Sequence, residues 1–589
     1  MKRLLTLLVA LCTLPAAADK APLAVPVRAS GGIVVSADAL AARVGADVLR
    51  GGGNAVDAAV ATAFALAVTH PSAGNVGGGG FLLVRDATGE AVAYDFREVA
   101  PAAATATMFL KDGRYDAALH HDSLLAVGVP GTVAGLHLAW SERGTRPWKR
   151  LIEPAIALAR NGLTVSDGLA RDLLGVREEF ARHPPTLAQF SKDGSPLAAG
   201  DLLRQEDLAR TLDRIASGGP DGFYRGLTAR LIAEEMKRGG GLITEQDLAE
   251  YRPKKRVPLS GSYRGWQILS MPPPSSGGTA LLQMLNVLEG YDVAASGFGS
   301  ALTVHRMAEA MRRAFADRAR LLGDPDFNDA APWARLTSKE YASALRGTIR
   351  DDRASVSAPD SFDWPAESAE TTHFSVIDGA GVAVALTYTL EDGYGVKRIV
   401  PGGGFLLNNE MGDFNPGPGL TDSTGLIGTP PNLAAPGKRM LSSMTPAIAT
   451  KDGALLVMGA AGGRTIINTV LQVLVNLIDH GMNLQEAVDA PRVHHQWLPD
   501  RILVETHGLS PDSLALLAAR GHALELGWAW GSRLQAAQRL PDGTLLGAAD
   551  RRGADSGAVG AAPPRQRAAG IERSATSSGP SSPEPGSMR

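Results

Sequence analysis

Thr371-Thr372-His373-Phe374-Ser375-Val376-Ile377-Asp378 is the stretch on which the reading of this chain turns. Upstream, residues 351–370 are weakly patterned and rich in Ser, Ala and Asp. Downstream, Phe374 and Val376, then Val382, Val384, Leu386 and Tyr388, alternate with period two, the signature of strands with two unlike faces. Asp378-Gly379-Ala380-Gly381 supplies turn chemistry between them, so the spacing predicts a β-hairpin fed by a polar loop. Two threonines stand at that junction. A cut before Thr371 would give it a free α-amine beside its own hydroxyl, the threonine version of an activated nucleophile. The same two residues also read as ordinary strand entry, because β-branched side chains suit a pleated surface.

The chain has 589 residues, 44% hydrophobic and 20% charged, an ordinary globular composition with enough length for a large core. A net charge of −3 gives no electrostatic case for nucleic acid or for an anionic membrane. The glycines cluster instead of spreading, which points to specific loops. Lys2 and Arg3, the apolar run 4–14 and Ala16-Ala17-Ala18 read as a secretory signal peptide over residues 1–18, too short to span a bilayer. The single cysteine, Cys12, falls inside it, preceded by Leu11 and not by the small residue of a lipoprotein site. Removing the leader leaves no thiol, which excludes cysteine-nucleophile and zinc–thiolate chemistry. The expected location is periplasmic or secreted.

Ser36 reads as the N-cap of a first helix, broken by Gly51-Gly52-Gly53-Asn54, and 55–68 as an Ala-rich buried helix. Residues 71–80 (PSAGNVGGGG) form a glycine loop with neither the spacing of a dinucleotide fingerprint nor the Lys-Ser/Thr of a phosphate loop. Strand patterns at 81–84 and 91–94 make a hairpin ending at Asp95-Phe96-Arg97-Glu98. Helical periodicity follows at 133–143, 148–161, 208–216, 228–237 and 303–322, punctuated by strand-like 257–271 and a rigid turn at 272–278. Beyond Thr371, strands are predicted at 402–409, 447–450 and 455–458, and helices at 466–480 and 484–490. From Gly553 onward, Ser, Gly, Pro, Ala and Arg with almost no large apolar residue read as a disordered tail. The element order suggests packed sheets flanked by helices, and periodicity does not choose among such folds.

Several polar groups are oddly placed. In 406–414 (LLNNEMGDF), Glu410 and Asp413 stand three apart after a predicted strand, suited to hold an ammonium group or to form a solvated turn. Ser442 and Ser443 lie between apolar neighbours, either binding hydroxyls or an ST-turn. Gly462 and Gly463 sit between a strand and a helix, where successive N–H groups suit an oxyanion or simply make a tight turn. His120-His121-Asp122 and His494-His495 resemble metal ligands by type but lack a convergent carboxylate pattern, so no metal and no cofactor is expected.

In order and spacing, these motifs resemble the γ-glutamyltranspeptidase (glutathione hydrolase) family over roughly residues 26–560. The resemblance rests on NAVDAAVA at Asn54, the PSAGNVGGGGF loop, DFRE around Arg97, GVPGTVAG at Gly128 and MPPPSSGG at Met271. It continues through TTHFSV at Thr371, TYTL at Thr387, LLNNEMGDF, LSSMTP, AAGGR and PRVHHQWLPD at Pro491. It implies an α+β fold, the four-layer αββα sandwich of the N-terminal nucleophile hydrolases. It also implies a precursor that cuts itself between Glu370 and Thr371 into a large subunit, 19–370, and a small catalytic subunit, 371–560, that stay associated, with 561–589 as the tail. Thr371 becomes the nucleophile, with its own amine or a water held by that amine as general base.

By the same resemblance, Thr389 orients Thr371, and the N–H groups of Gly462 and Gly463 form the oxyanion hole. Arg97, helped by Ser442 and Ser443, grips the substrate α-carboxylate, and Glu410 and Asp413 hold its α-ammonium. Attack yields a γ-glutamyl ester, resolved by water or by an acceptor amino acid or peptide. Glutathione and other γ-glutamyl compounds are the implied donors. After Thr389-Leu390 many members carry an amide where this chain has Glu391, whose charge either strengthens ammonium binding or points away. Residues 416–429 correspond to the loop that covers the site in lid-bearing members, with Thr424 where some place an aromatic. Two alternatives frame this reading. A glutaryl-type β-lactam acylase shares the fold, but Arg97 with Glu410 and Asp413 favours a free amino-acid head. An unprocessed periplasmic binding protein is the alternative outside enzymes.

Overall fold

The computed structural model describes residues 24–328, 332–357, 371–420, 427–528 and 531–563. The expected leader, the expected cleavage partner Glu370, Thr424 and the chain beyond 563 lie outside them.

The predicted hairpin forms as strands Thr372–Asp378 and Ala383–Thr389. Alternation sends Phe374, Val376, Val384 and Leu386 into one core and Ile377, Ala383 and Ala385 into another. The turn is locked by Asp378, whose Oδ1 accepts from the N–H groups of Ala380 and Val382, each at 3.0 Å. Its Oδ2 accepts at 3.0 Å from the N–H of Ala55, one of the unsatisfied donors at the start of helix Ala55–Thr69. The hairpin is thereby fastened to a helix buried at every residue, whose start Asn54 and Asp57 close with a capping box.

The hairpin lies within a seven-stranded sheet in the order Lys254–Arg256, Ala91–Phe96, Gly79–Arg85, Ala383–Thr389, Thr372–Asp378, Gly32–Ser36 and Gly557–Ala561. A second seven-stranded sheet runs Val27–Ala29, Leu545–Ala549, Leu534–Arg539, Ala454–Ala460, Ala447–Lys451, Trp266–Ser270 and Leu259–Tyr263. Every neighbouring pair in both is antiparallel. Helices Ala39–Arg50 and Ala55–Thr69 cover the outside of the first sheet, around Phe64, Leu82 and Phe374. Helices Gly277–Leu288 and Thr465–Ile478 cover the second, and one continuous core joins Ile33, Phe81 and Ile377 to Val457, Leu281 and Leu471. This is the expected αββα sandwich.

A polar bridge crosses the space between the sheets. The His373 ring meets Thr387 Oγ1 at 2.7 Å and Ser375 Oγ at 3.0 Å, and Ser375 Oγ donates to the Gln535 carbonyl of the facing sheet at 3.0 Å. Burial drives the His373 pKa down to about 3, so the ring is a neutral strut. Gly459 makes room for it: a Cβ there would stand 2.4 Å from the ring.

Three expectations are corrected. The first helix is capped by Asp38, not Ser36, because Ser36 ends a buried strand and the Asp38 carboxylate accepts from Ala41 N at 2.8 Å. Residues 402–409 are not a strand: Gly402 and Gly404 adopt φ of 74° and 73°, and only an isolated bridge from Ile399 to Leu406 survives. The tail does not begin at Gly553, because Gly557–Ala561 completes the edge of the first sheet. Its small residues are a packing requirement: Cβ atoms at Gly557 and Gly560 would stand 2.6 and 2.7 Å from those of Ala39 and Ala29. No helix among the described residues is long and apolar enough to cross a membrane.

Candidate active site

Thr371 lies one step before the paired strand, and the register Thr372↔Tyr388 puts it opposite Thr389. Their hydroxyl oxygens are 3.5 Å apart and both residues are buried. Thr371 Oγ1 is the donor in that contact, and Thr389 Oγ1 also accepts from the Glu391 N–H at 2.8 Å. Asn75 secures the same strand end, donating to the Thr389 carbonyl at 2.8 Å.

Arg97 enters from the end of strand Ala91–Phe96. Its N–H donates to Asp95 Oδ1 at 3.1 Å and its carbonyl accepts from Tyr251 OH at 3.0 Å, so its backbone is held on both sides. The fully buried guanidinium pairs with Glu410 through Nη1 and with Asp413 through Nη2. Glu98 stands 3.7 Å from Nη1, and the Leu441 carbonyl accepts from Nη2 at 3.4 Å. Burial opposes the Arg97 charge, but Glu410, Asp413 and Glu98 more than offset it and raise the pKa. Glu410 and Asp413 share one 3₁₀ turn whose start is fixed by Asn408, which accepts from Glu410 N at 3.0 Å and donates to the Gly77 and Gly128 carbonyls, each at 2.8 Å.

Ser442 and Ser443 approach from the segment that leads into strand Ala447–Lys451 of the facing sheet. The Ser442 carbonyl accepts from Ser276 N at 2.8 Å, and Ser443 Oγ accepts from Arg318 Nη2 at 2.9 Å. Gly462 and Gly463 precede helix Thr465–Ile478 with φ of 120° and 56°, a region that glycine enters without strain. Among the described residues, neither glycine N–H donates to an acceptor. One pocket is lined by Arg97, Thr371, Thr389, Glu391, Glu410, Asp413, Ser442, Ser443 and Gly463 together with Met444 and Ile466. Of the predicted site residues within the described chain, only Gly462 is outside that lining, one residue behind it. Glu391 does not point away. It sits at φ 77°, with Oε1 3.4 Å from His121 Nδ1. Glu98, Met444, Ile466 and Arg318 were not singled out from sequence; the apolar pair and a helical arginine carry no mark that separates them from core and surface.

The histidine pairs pack against side chains. His120 packs tilted against Phe109 and meets Tyr115 OH at 3.2 Å, His494 meets Asn468 at 2.7 Å, and His495 meets Asp500 at 3.1 Å.

A buried cation flanked by carboxylates, two threonine hydroxyls, two serines and Gly463 share one cleft. The Gamma-glutamyltranspeptidase family model matches residues 41–560. The chain belongs to the γ-glutamyltranspeptidase family. It is 51% identical over 536 residues to the glutathione hydrolase proenzyme of Escherichia coli K12, covering 90% of this chain and 92% of that one. The Helicobacter pylori γ-glutamyltranspeptidase crystal structure aligns with TM-score 0.54 at 46% identity, over 57% of this chain and 95% of the other. The cephalosporin acylase of Bacillus halodurans aligns with TM-score 0.79 at 27% identity, over 94% and 99%. Membership of this family makes the chain an enzyme and removes the binding-protein alternative.

Within this member of the family, Glu98 is an acid in an unusual state. Among the described residues neither of its oxygens has a hydrogen-bond partner, and burial lifts its pKa to about 8 against the opposing pull of Arg97. A carboxyl raised from an unfolded value of 4.5 to about 8 contributes stability that is complete below pH 4.5 and is lost as the pH rises through 8. Glu98→Gln, which keeps the shape and removes the titration, will flatten the stability profile in that window, by up to about 1.4 kcal/mol per pH unit. Urea unfolding of both proteins at pH 5 and pH 8 checks this, and parallel profiles would rule it out.

Proposed function

We propose that the chain is an autoprocessed γ-glutamyltransferase and glutathione hydrolase, cut between Glu370 and Thr371 and exported to the periplasm or beyond. The observation that carries this reading is the pairing of Arg97 with Glu410 and Asp413 in the pocket that holds Thr371. An amino-acid head bears both charges and can exchange into this pairing, its carboxylate on the Arg97 fork and its ammonium on the two acids. Ser442 and Ser443 add hydroxyl donors to the carboxylate. That double recognition selects a γ-linked glutamyl group over an internal peptide residue, which lacks both free charges.

After the cut, the Thr371 amine takes the proton of its own hydroxyl, directly or through a water. An unperturbed α-amine has a pKa of about 7.7–8.0, so a useful fraction is neutral near pH 7. Oγ1 attacks the γ-carbonyl, and the N–H groups of Gly462 and Gly463 take the charge that develops on its oxygen. The C–N bond breaks as the amine delivers its proton to the leaving nitrogen, which leaves a γ-glutamyl ester on Thr371. Water, or the amine of an acceptor amino acid or peptide, attacks the ester and restores the hydroxyl. Thr389 holds Oγ1 in line, and Glu391 adds a third carboxylate on the ammonium side.

The likeness to a cephalosporin acylase favours glutaryl amides as the second reading. A glutaryl group has no ammonium, so its binding would leave buried Glu410 unpaired at the substrate. Release of the anilide from γ-glutamyl-p-nitroanilide is expected to exceed release from glutaryl-p-nitroanilide by about 10²-fold or more in kcat/KM. The reverse order would overturn the assignment in favour of the acylase.

A further inference from the structure

At the far end of the sandwich from Thr371 the two sheets part around a second cleft. Strand Thr372–Asp378 separates the two, roughly 20 Å at about 3.3 Å per residue. This cleft is lined by Arg85, Gln267, Thr450, Lys451 and Arg539, with Asp452 as the sole carboxylate.

The register fixes where its cations point. In the first sheet Phe81 and Leu83 face the inter-sheet core, and Arg85, two residues on, shares their face. In the second sheet Gln267, Thr450, Leu455 and Arg539 are successive cross-strand partners, and so share one face. Leu455 has the parity of Gly459, which abuts His373 between the sheets, so Arg539 points inward too. Arg85, its guanidinium lying along the 86–89 turn, and Arg539 thus line one cleft from opposite walls. Facing sheets lie about 10 Å apart, a span that two arginine side chains close around one small anion.

Neither arginine is neutralised. Among the described residues, no carboxylate pairs with Arg85, Lys451 or Arg539. Lys451 donates at 3.1 Å to the Arg264 carbonyl, and Arg85 at 3.3 Å to the Asp86 carbonyl. The nearby acids are engaged elsewhere: Asp86 accepts from the N–H groups of Thr88, Gly89 and Glu90, and Asp542 from Thr544 N at 2.9 Å. Asp452 sits on the exposed turn at φ 48°. Like charges gathered in a partly enclosed cleft repel one another, and an anion between them removes that cost.

We propose that this cleft binds a small multivalent oxyanion, bearing phosphoryl or carboxylate groups, between Arg85 and Arg539 with Lys451 at its rim. The guanidinium forks match either group bidentately. Calorimetric titration of the full processed protein at low ionic strength with pyrophosphate, citrate and acetate tests it. Wild-type protein is expected to bind one equivalent of pyrophosphate or citrate, the tighter of the two identifying the group, and no acetate. The double variant Arg85→Gln/Arg539→Gln is expected to weaken that binding at least tenfold with γ-glutamyl hydrolysis unchanged. A control variant, Lys149→Gln/Arg225→Gln, which removes two exposed cations elsewhere, is expected to bind as wild type. If the double variant does not accumulate, Arg539→Gln alone carries the comparison. Absence of saturable heat from both multivalent anions, or equal weakening in the control, would overturn the proposal.

Discussion

Replacing Thr371 by alanine will leave the chain in one piece and abolish γ-glutamyl hydrolysis. Both outcomes trace to one hydroxyl, because the group proposed to cut the precursor is the group proposed to attack the substrate. The loss in kcat is expected to reach at least about 10⁴-fold, the scale on which removal of a nucleophile is felt. Intact mass and N-terminal sequencing read the first outcome. Wild-type protein is expected to give two fragments, one beginning Thr-Thr-His-Phe, and the variant a single chain. Thr371→Ser keeps the hydroxyl and should be cut. An uncut wild-type chain would make Thr371 an ordinary strand residue beside Thr389, and the 3.5 Å approach of their hydroxyls a packing contact.

Arg97→Gln will cost substrate recognition and stability together. The substitution leaves Glu98, Glu410 and Asp413 around a neutral amide, where a fully buried guanidinium had joined them. Breaking a buried ion pair on one side typically costs about 3–5 kcal/mol. Part of that will be recovered as the carboxyls take up protons, so the variant's stability should rise toward low pH. For catalysis, loss of the carboxylate fork is expected to lower kcat/KM by about 10²-fold or more, chiefly through KM. Arg97→Lys restores the charge but not the fork, and should recover stability more than it recovers KM. A glutamine variant with wild-type melting behaviour would show that the cluster is not held together by Arg97.

The hairpin after Thr371 was legible because period-two alternation, turn residues and β-branched entry all agree over 371–389. The other candidate site residues were legible for a different reason: Glu410 and Asp413, Ser442 and Ser443, and Gly462 and Gly463 stand out as polar groups or paired glycines in odd places, whereas the role expected of Arg97 came from the family resemblance alone. Sequence patterning misleads where packing reverses the usual meaning of a residue. Gly557–Ala561 reads as tail because it lacks large side chains, yet Ala39 and Ala29 leave no room for any. Residues 402–409 look apolar enough for a strand, but the positive φ of Gly402 and Gly404 bends them out of pairing. The raised pKa of Glu98 has no sequence signature at all, since it follows from burial among residues brought together only by the fold.

The order of strands in the sheet that follows Thr371 would set the fate of a molecule cut at 370/371. With a break at 370/371, three strands from the first piece are followed by two from the second, then one from the first and one from the second again. Each piece is threaded through the other. Neither can leave without tearing main-chain ladders on two sides of Gly32–Ser36, so scission adds no line of weakness and the halves melt as one body. The asymmetry appears only on the way back. Separated pieces must find each other before either can complete a sheet, so recovery depends on concentration, whereas the unbroken precursor assembles alone.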